Sequence, residues 1–442
     1  MGQLRLMGCG ALALALWASV PARAQEATDI NLLYGDEPTA VTSVPVVVPP
    51  LPEEPTRRHV PHRKIDPDKA TGFDDGAFQL KPSLEIGTVV SDNINLSANN
   101  RKADIGLRLK PSLAFQSEWP RHNWRGNISA DWVNYLATPS ASSLTGSAET
   151  SFRLDIRRST HADFAANASV TSTAAGSSEV PSAAVGSRQD WSLGSSAALN
   201  HDFGPMQGQV KFGMTRQVYG DVALSGGGTE NNADRNYVEP SLSLRSTWGA
   251  PVAVLKPYVE LTYDPRIHDK SVDRNGQRRN SQGVGAALGV TLNDGPIWTG
   301  DFSANFIARS YDDPALKTAM ALGVNGSLTW SPTPLWNVVA SSGVSLAESE
   351  IANVSATPSW NAGLNASYAM RDNVTLRAGG SATLTKASSG TDATWVASAG
   401  AEWQLNPYLS LSGTLQSTWI NAATAAASYN EQRASLGMVV RP

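Results

Sequence analysis

The chain has 442 residues, with 35 Lys and Arg against 39 Asp and Glu, a net charge of -4 and one cysteine. Its basic residues are scattered, which argues against a nucleic-acid partner. No run of about 18 apolar residues occurs, which excludes a membrane-crossing helix, and a lone cysteine cannot close an intrachain disulfide.

Residues 1–24 read as a secretory signal peptide. Arg5 precedes an apolar run from about Ala11 to Val20, which ends in Ala22-Arg23-Ala24, and cleavage is expected after Ala24. Cys9 lies before the apolar run rather than after it, so a lipoprotein anchor is not expected. An exported chain without a helical anchor is either soluble or a β-barrel in an outer membrane.

Residues 25–72 hold Pro38, Pro45, Pro49, Pro50, Pro52, Pro55, Pro61 and Pro67 among Glu53, Glu54, Arg57, Arg58, Arg63 and Lys64. Such a stretch buries little apolar surface, and the expectation is a disordered, Pro-rich periplasmic leader. Its His59 and His62 are poorly placed to hold a metal, and neither a metal nor a cofactor is expected.

From Phe73 onward the pattern changes to period two. Ile105, Leu107, Leu109, Leu113 and Phe115 fall on one face, while Arg108, Lys110, Ser112, Gln116 and Glu118 fall on the other. After a break at Trp119-Pro120-Arg121 the alternation resumes, with Trp124, Ile128 and Trp132 against Arg125, Asn127, Ser129 and Asp131. The same alternation continues to the end of the chain, predicting about eighteen strands (16–18). The fold class expected over 73–442 is all-β, a transmembrane antiparallel up-and-down β-barrel. Breaks alternate between short, as at Gly204-Pro205 and Asn406-Pro407, and long, as at 173–187, 220–232 and 268–280. Short turns on one rim and long loops on the other are the outer-membrane pattern.

Inward parity predicts a lumen lined by Arg108, Lys110, Arg125, Asp131, Arg153, Asp155, Lys211, Glu239, Arg245, Glu260, Asp301, Arg309, Arg377, Glu402 and Arg433. Arg108, Lys110, Arg125 and Arg153 come from neighbouring strands and suggest a basic ladder. Beside the short turns, Trp119, Trp124, Trp248, Trp298, Trp330, Trp336, Trp403 and Tyr408 suggest an interfacial aromatic girdle. Pro82, Pro111, Pro240 and Pro257 fall inside strands, where proline removes a ladder donor; bulges, or strand ends outside the hydrocarbon, are expected there.

Ser91-Asp92-Asn93-Ile94 resembles the Asp-Asp-Asn-Val element of the putative beta-barrel porin 2 family, with Ser91 in place of its first Asp. Arg121-His122 at the start of the third strand and Tyr135 at its end are similar to the same family. The resemblance implies an outer-membrane barrel of a Gram-negative bacterium, in some members associated with polysaccharide genes, and supplies no catalytic residues.

No Gly-x-Ser-x-Gly elbow or His-Glu-x-x-His occurs. Asp312-Asp313, and Asp264 with His268, give no convergent catalytic group, so the protein is not expected to be an enzyme. The leading expectation is porin-like passive diffusion of small hydrophilic solutes. One alternative is a barrel serving export or assembly of an envelope polysaccharide, for which the inward Tyr135, Tyr237 and Tyr258 would suit sugars. Another is a structural or adhesive barrel without an open pore. The partners expected are outer-membrane lipid and lipopolysaccharide, the barrel-insertion machinery, and the solute or polysaccharide.

Overall fold

A computed structural model describes residues 72–173, 184–250, 252–348, 352–387, 390–423 and 428–442. The expected signal peptide, and the expected leader up to residue 71, lie outside the described residues.

Among the described residues, eighteen long strands follow one another. The first six are β1 (Phe78–Ser91), β2 (Asp104–Ser117), β3 (Asn123–Tyr135), β4 (Ser143–Arg157), β5 (Thr160–Thr173) and β6 (Arg188–Asp202). The next six are β7 (Met206–Tyr219), β8 (Tyr237–Trp248), β9 (Leu255–His268), β10 (Ser281–Asp294), β11 (Trp298–Tyr311) and β12 (Ala319–Trp330). The last six are β13 (Trp336–Ala347), β14 (Thr357–Arg371), β15 (Val374–Ala387), β16 (Gly390–Asn406), β17 (Leu409–Asn421) and β18 (Tyr429–Val440). Each pairs antiparallel with its neighbours in sequence. β18 pairs with β1 from Leu84↔Val440 to Ser91↔Arg433, so the sheet closes on itself as an eighteen-stranded barrel.

Closure explains the sequence pattern. A closed barrel in lipid pairs its backbone groups between strands and turns alternate side chains to hydrocarbon and to lumen. Ile86, Val90, Ile105, Leu107, Phe212, Met214, Leu288, Leu322, Leu415 and Leu436 are all exposed on the outer wall, while the buried residues are mostly polar or charged. A packed apolar core is replaced by a lipid-facing apolar wall around a polar interior.

The observed strands lie close to those expected. The alternation predicts strands near 146–157 and 233–248; β4 begins earlier, at Ser143, and β8 begins later, at Tyr237, because Ala233–Arg235 form a 3-10 turn. The strand prolines do not mark bulges. Pro82, Pro111, Pro240 and Pro257 pair in register with Leu113, Leu84, Met214 and Val290 on one side. On the other side the ladder is interrupted or has ended: between Leu109↔Trp132 and Ser112↔Ser129, and between Val238↔Ile267 and Leu242↔Tyr263. A residue without an N–H forfeits its bond on one side only, so a gap is enough.

One seam is interrupted further. β12 pairs with β13 only from Gly326↔Ser342 to Trp330↔Val338. Toward the long-loop rim the two strands part, although β12 stays paired with β11 up to Ala319 and β13 stays paired with β14 up to Ala347. Side chains bridge the gap. The Val344 N–H donates to Asn325 Oδ1 at 2.7 Å, Ser342 Oγ donates to the Val324 carbonyl at 2.9 Å, and the Trp360 indole N–H of β14 donates to the Leu322 carbonyl at 2.8 Å. Gly326, where the ladder stops, has a φ of +153°, open to glycine and costly for other residues. Val344 shares its face with Trp360 by register, which is the lipid side, yet it is only 3% exposed. The upper half of β13 is therefore drawn toward the lumen, and Trp360 closes over it.

Candidate functional site

The lumen wall is the candidate site. Its charges occur in compact groups whose members come from strands up to four apart. In the lower lumen, Arg245 of β8 reaches Asp301 of β11 at 2.5 Å and Glu260 of β9 at 3.8 Å. Tyr258 donates its hydroxyl hydrogen to the same Asp301, and the Arg245 guanidinium lies 3.4 Å from the centre of its ring. Nearer the long-loop rim, Arg266 contacts Glu239 at 2.5 Å and also Glu348, which follows β13. Arg309 contacts Glu239 at 3.3 Å and also Asp264. Arg245 and Arg309 are each 4% exposed. Buried charge is tolerated only when paired and hydrogen-bonded, and these groups satisfy that condition.

The remaining expected lumen residues take up similar arrangements. Arg108 forks onto Asp131 at 2.5 Å, with Glu85 at 4.0 Å. Lys110 is buried in register with Glu85. Arg125 donates to Ser151 Oγ, and Lys211 lies in register between Ala198 and Ser243. Arg433 pairs with Glu431 at 3.3 Å. Arg377 and Arg441 both grip Glu402, at 2.7 and 2.5 Å, at the short-turn rim. Arg153 pairs with Asp155 at 2.9 Å. The basic ladder expected from Arg108, Lys110, Arg125 and Arg153 is therefore not a row of unbalanced charge: acids or hydroxyls on adjoining strands face most of it. Asp155 sits at the turn rim, where its groups are taken by residues of the neighbouring turn between β2 and β3.

Those residues include two of the family-like positions. The His122 N–H donates to Asp155 Oδ2, the Asp155 N–H donates to His122 Nδ1, and Arg121 donates to the Asp155 carbonyl. His122 takes a φ of 70°, the left-handed conformation that turns the chain into β3. The other three gather where the barrel closes. Asp92 accepts from Arg101 at 2.5 Å and from the Gln432 N–H at 2.8 Å. Asn93, fully buried, donates to the carbonyls of Ser97 and Asn430. Tyr135 packs with Val89, Ile94 and Val133. Their chemistry is that of a clasp between the ends of the sheet.

The three inward tyrosines are less available than parity implied. Tyr135, Tyr237 and Tyr258 are all buried, and guanidinium groups cover the rings of Tyr237 (Arg266, 4.3 Å) and Tyr258. Asp264 is bound to Arg309, His268 packs against Tyr237 at 5.5 Å, and Asp313 caps its own turn from the Ala315 N–H. Among the described residues no group of three His, Cys, Asp or Glu could hold a metal.

Loops fold over part of the long-loop rim. Arg274 binds Asp234 at 2.9 Å and Glu230 at 2.7 Å, joining loop 269–280 to the preceding long loop. Gln277 donates to Asn353, and Arg279 donates to the Val354 carbonyl, joining the same loop to residues after β13. Burial acts to raise the Asp234 carboxyl, but hydrogen bonds from Arg274 outweigh it and hold the group at about 2. Asp273 is likewise held below the usual carboxylate range: burial opposes this, while the Gln277 N–H and Arg279 prevail.

In contrast to this charged wall, the lumen face of β12 to β14 carries no ionisable side chain. By register it comprises Ala319, Ala321, Gly323, Asn325, Ser327 and Thr329 on β12, Asn337 to Ala347 in alternation on β13, and Thr357, Ser359, Asn361, Gly363, Asn365 and Ser367 on β14. Sequence reasoning followed the charges and missed this neutral sector, although the same parity contains it. It also missed Glu85, Arg188, Asp190, Arg266 and Glu348 as lumen ion partners.

Outside, the expected aromatics do lie at the short-turn ends. Trp298 stacks on Trp330 at 5.5 Å, Trp119 and Trp124 meet Phe78 at 5.3 and 5.6 Å, and Trp336 stacks on Tyr368 at 4.5 Å. Trp124, Trp248, Trp330, Trp336, Trp403 and Tyr408 are exposed. A second exposed set, Trp132, Trp191, Tyr263, Trp395 and Trp419, lies toward the other rim, with Trp395 and Trp419 paired in register. Two aromatic belts around an apolar band are the mark of a membrane-spanning barrel.

These features define an outer-membrane-type β-barrel. The chain belongs to the putative beta-barrel porin 2 family, whose model matches residues 66–442. Comparison with curated protein sequences finds no match. Among solved structures, the chain is similar to the siderophore receptor PirA from Pseudomonas aeruginosa, at 10% identity and a TM-score of 0.37, over 82% of this chain and 80% of that one. It is similar to the ferric-catecholate import receptor Fiu from E. coli K12 at 8% identity and 0.38, over 84% and 82%. It is similar to the FrpB iron transporter from Neisseria meningitidis (F5-1 variant) at 9% identity and 0.40, over 84% and 83%.

Proposed function

We propose that the protein is a porin-like channel of a Gram-negative outer membrane, conducting small, uncharged hydrophilic solutes. The short turns then face the periplasm and the long loops face the exterior. The observation that carries this reading is the neutral lumen face of β12 to β14, set in a wall whose charges bind one another. Paired charges contribute little net field, while Ser, Thr and Asn offer hydrogen bonds in place of lost hydration. A solute with many hydroxyls suits that track better than an ion does. The inward tyrosines give less support to a polysaccharide route, because two of their rings are already covered by arginine.

The test is planar-bilayer conductance of the refolded protein together with sugar-driven swelling of proteoliposomes. Steady conductance with little preference between cation and anion, and swelling by neutral sugars, are expected. Asn365→Trp, placed on the neutral face, should lower both. Insertion without conductance, or strong ion selectivity, would overturn the reading.

A further inference from the structure

We propose that the long-loop half of the β12–β13 seam is a lateral gate, through which the alkyl chain of an amphiphile passes between the lumen and the adjoining membrane leaflet. This inference stands apart from the diffusion route, because it concerns the wall and not the axis.

Three observations converge on it. The backbone ladder stops at Gly326↔Ser342, and the seam above it is held by the side chains of Asn325, Ser342 and Trp360. Separating the strands there breaks no backbone ladder, whereas the neighbouring seams on both sides keep full ladders. Next, the seam lies at hydrocarbon depth. Met320, Leu322 and Val324 are exposed on its lipid side, well above the Trp330 belt. A membrane strand of about 9–11 residues spans the bilayer, so Leu322 falls in the outer half. Finally, the lumen face at the same level is uncharged: Asn325, Gly343 and Asn361, with Val344 packed against the inner side of Gly323. An alkyl chain crossing there need not pass an ion, as it would along β8 to β11.

The gate is shut in this structure. Trp360 is its latch, since its ring covers Val344 and its indole N–H holds the Leu322 carbonyl. From the lumen side, Glu348 on Arg266, and Asn353 with Gln277, hold the segment that follows β13. Opening requires the upper half of β13, together with the β14 strand to which it stays paired, to swing away from β12.

The test places a fluorophore on Asn361→Cys, facing the lumen, in vesicles whose phosphatidylcholine carries a nitroxide on the acyl chain. The same fluorophore on Leu364→Cys, facing lipid, reports insertion. Trp360→Phe keeps the ring and removes the donor, while Ser342→Ala is a milder variant should the first fail to fold, with folding checked by heat-modifiable gel mobility. Severalfold more quenching at position 361 in these variants than with the latch intact is expected. In Leu322→Cys/Trp360→Cys, a reductant-cleavable thiol cross-linker should abolish the increase, and reduction should restore it. Unchanged quenching in folded variants, or quenching that persists when the seam is cross-linked, would overturn the proposal. Conductance is read separately, so failure of the channel reading leaves this result interpretable.

Discussion

Asn93 shows how a short motif acts through hydrogen bonds rather than chemistry. Its amide nitrogen binds carbonyls on both sides of the closing seam, and its Oδ1 receives the Ser97 N–H. Beside it, Ser91 donates to Glu431 at 2.6 Å. An apolar replacement removes the three hydrogen bonds of Asn93 from a fully buried position, each contributing about 0.5–1.5 kcal/mol. Asn93→Ala should therefore lower stability by about 2–3 kcal/mol, read as a shift in the urea midpoint of tryptophan fluorescence, while ion selectivity stays unchanged. The motif was legible as a family feature. Its role was not, because its partners across the closing seam, Asn430 and Gln432, lie more than three hundred positions away in the chain and no local pattern announces them.

At the scale of elements, loop 269–280 is a strut whose strength depends on pH in a defined sense. The Asp234 carboxyl is held below its unfolded value, so its contribution is complete above the usual carboxylate range and is lost as pH falls through about 2. A fluorophore on Asn275→Cys should keep the same anisotropy from neutral pH down to about 4 and lose it as pH approaches the value for Asp234. Arg274→Ala should show the low anisotropy at every pH. The strands themselves were readable because a two-residue period survives any curvature of the sheet. The β12–β13 seam was not readable. The sequence around Gly326 alternates as well as any other stretch, and only the register shows that the ladder ends there. The prolines are visible in the sequence, but whether each marks a bulge, a strand end or a one-sided gap is not, since sequence alone does not say which side of a strand loses its donor.

For the whole molecule, the balance of charge in the lumen matters more than the position of any single arginine. At the short-turn rim one carboxylate, Glu402, serves both Arg377 and Arg441. Glu402→Gln leaves two cations facing the lumen without their acid and should move the reversal potential in a salt gradient toward anion preference. Were this rim remote from the conducting path, the reversal potential would not move. Parity predicted which residues face inward; it could not predict their pairing, which crosses several strands and depends on the stagger of the closed barrel.

The clasp between β1 and β18 also bears on the order of events in folding. It joins Asp92 and Asn93 to Asn430 and Gln432, residues from opposite ends of the sheet, so it forms only once every intervening hairpin is in place. Contacts of such high sequence separation are slow to find and belong late on the folding route. A weakened clasp should therefore speed unfolding and leave the refolding rate nearly unchanged. The residues that most clearly mark the family then govern how long the barrel stays closed, not how quickly it is made.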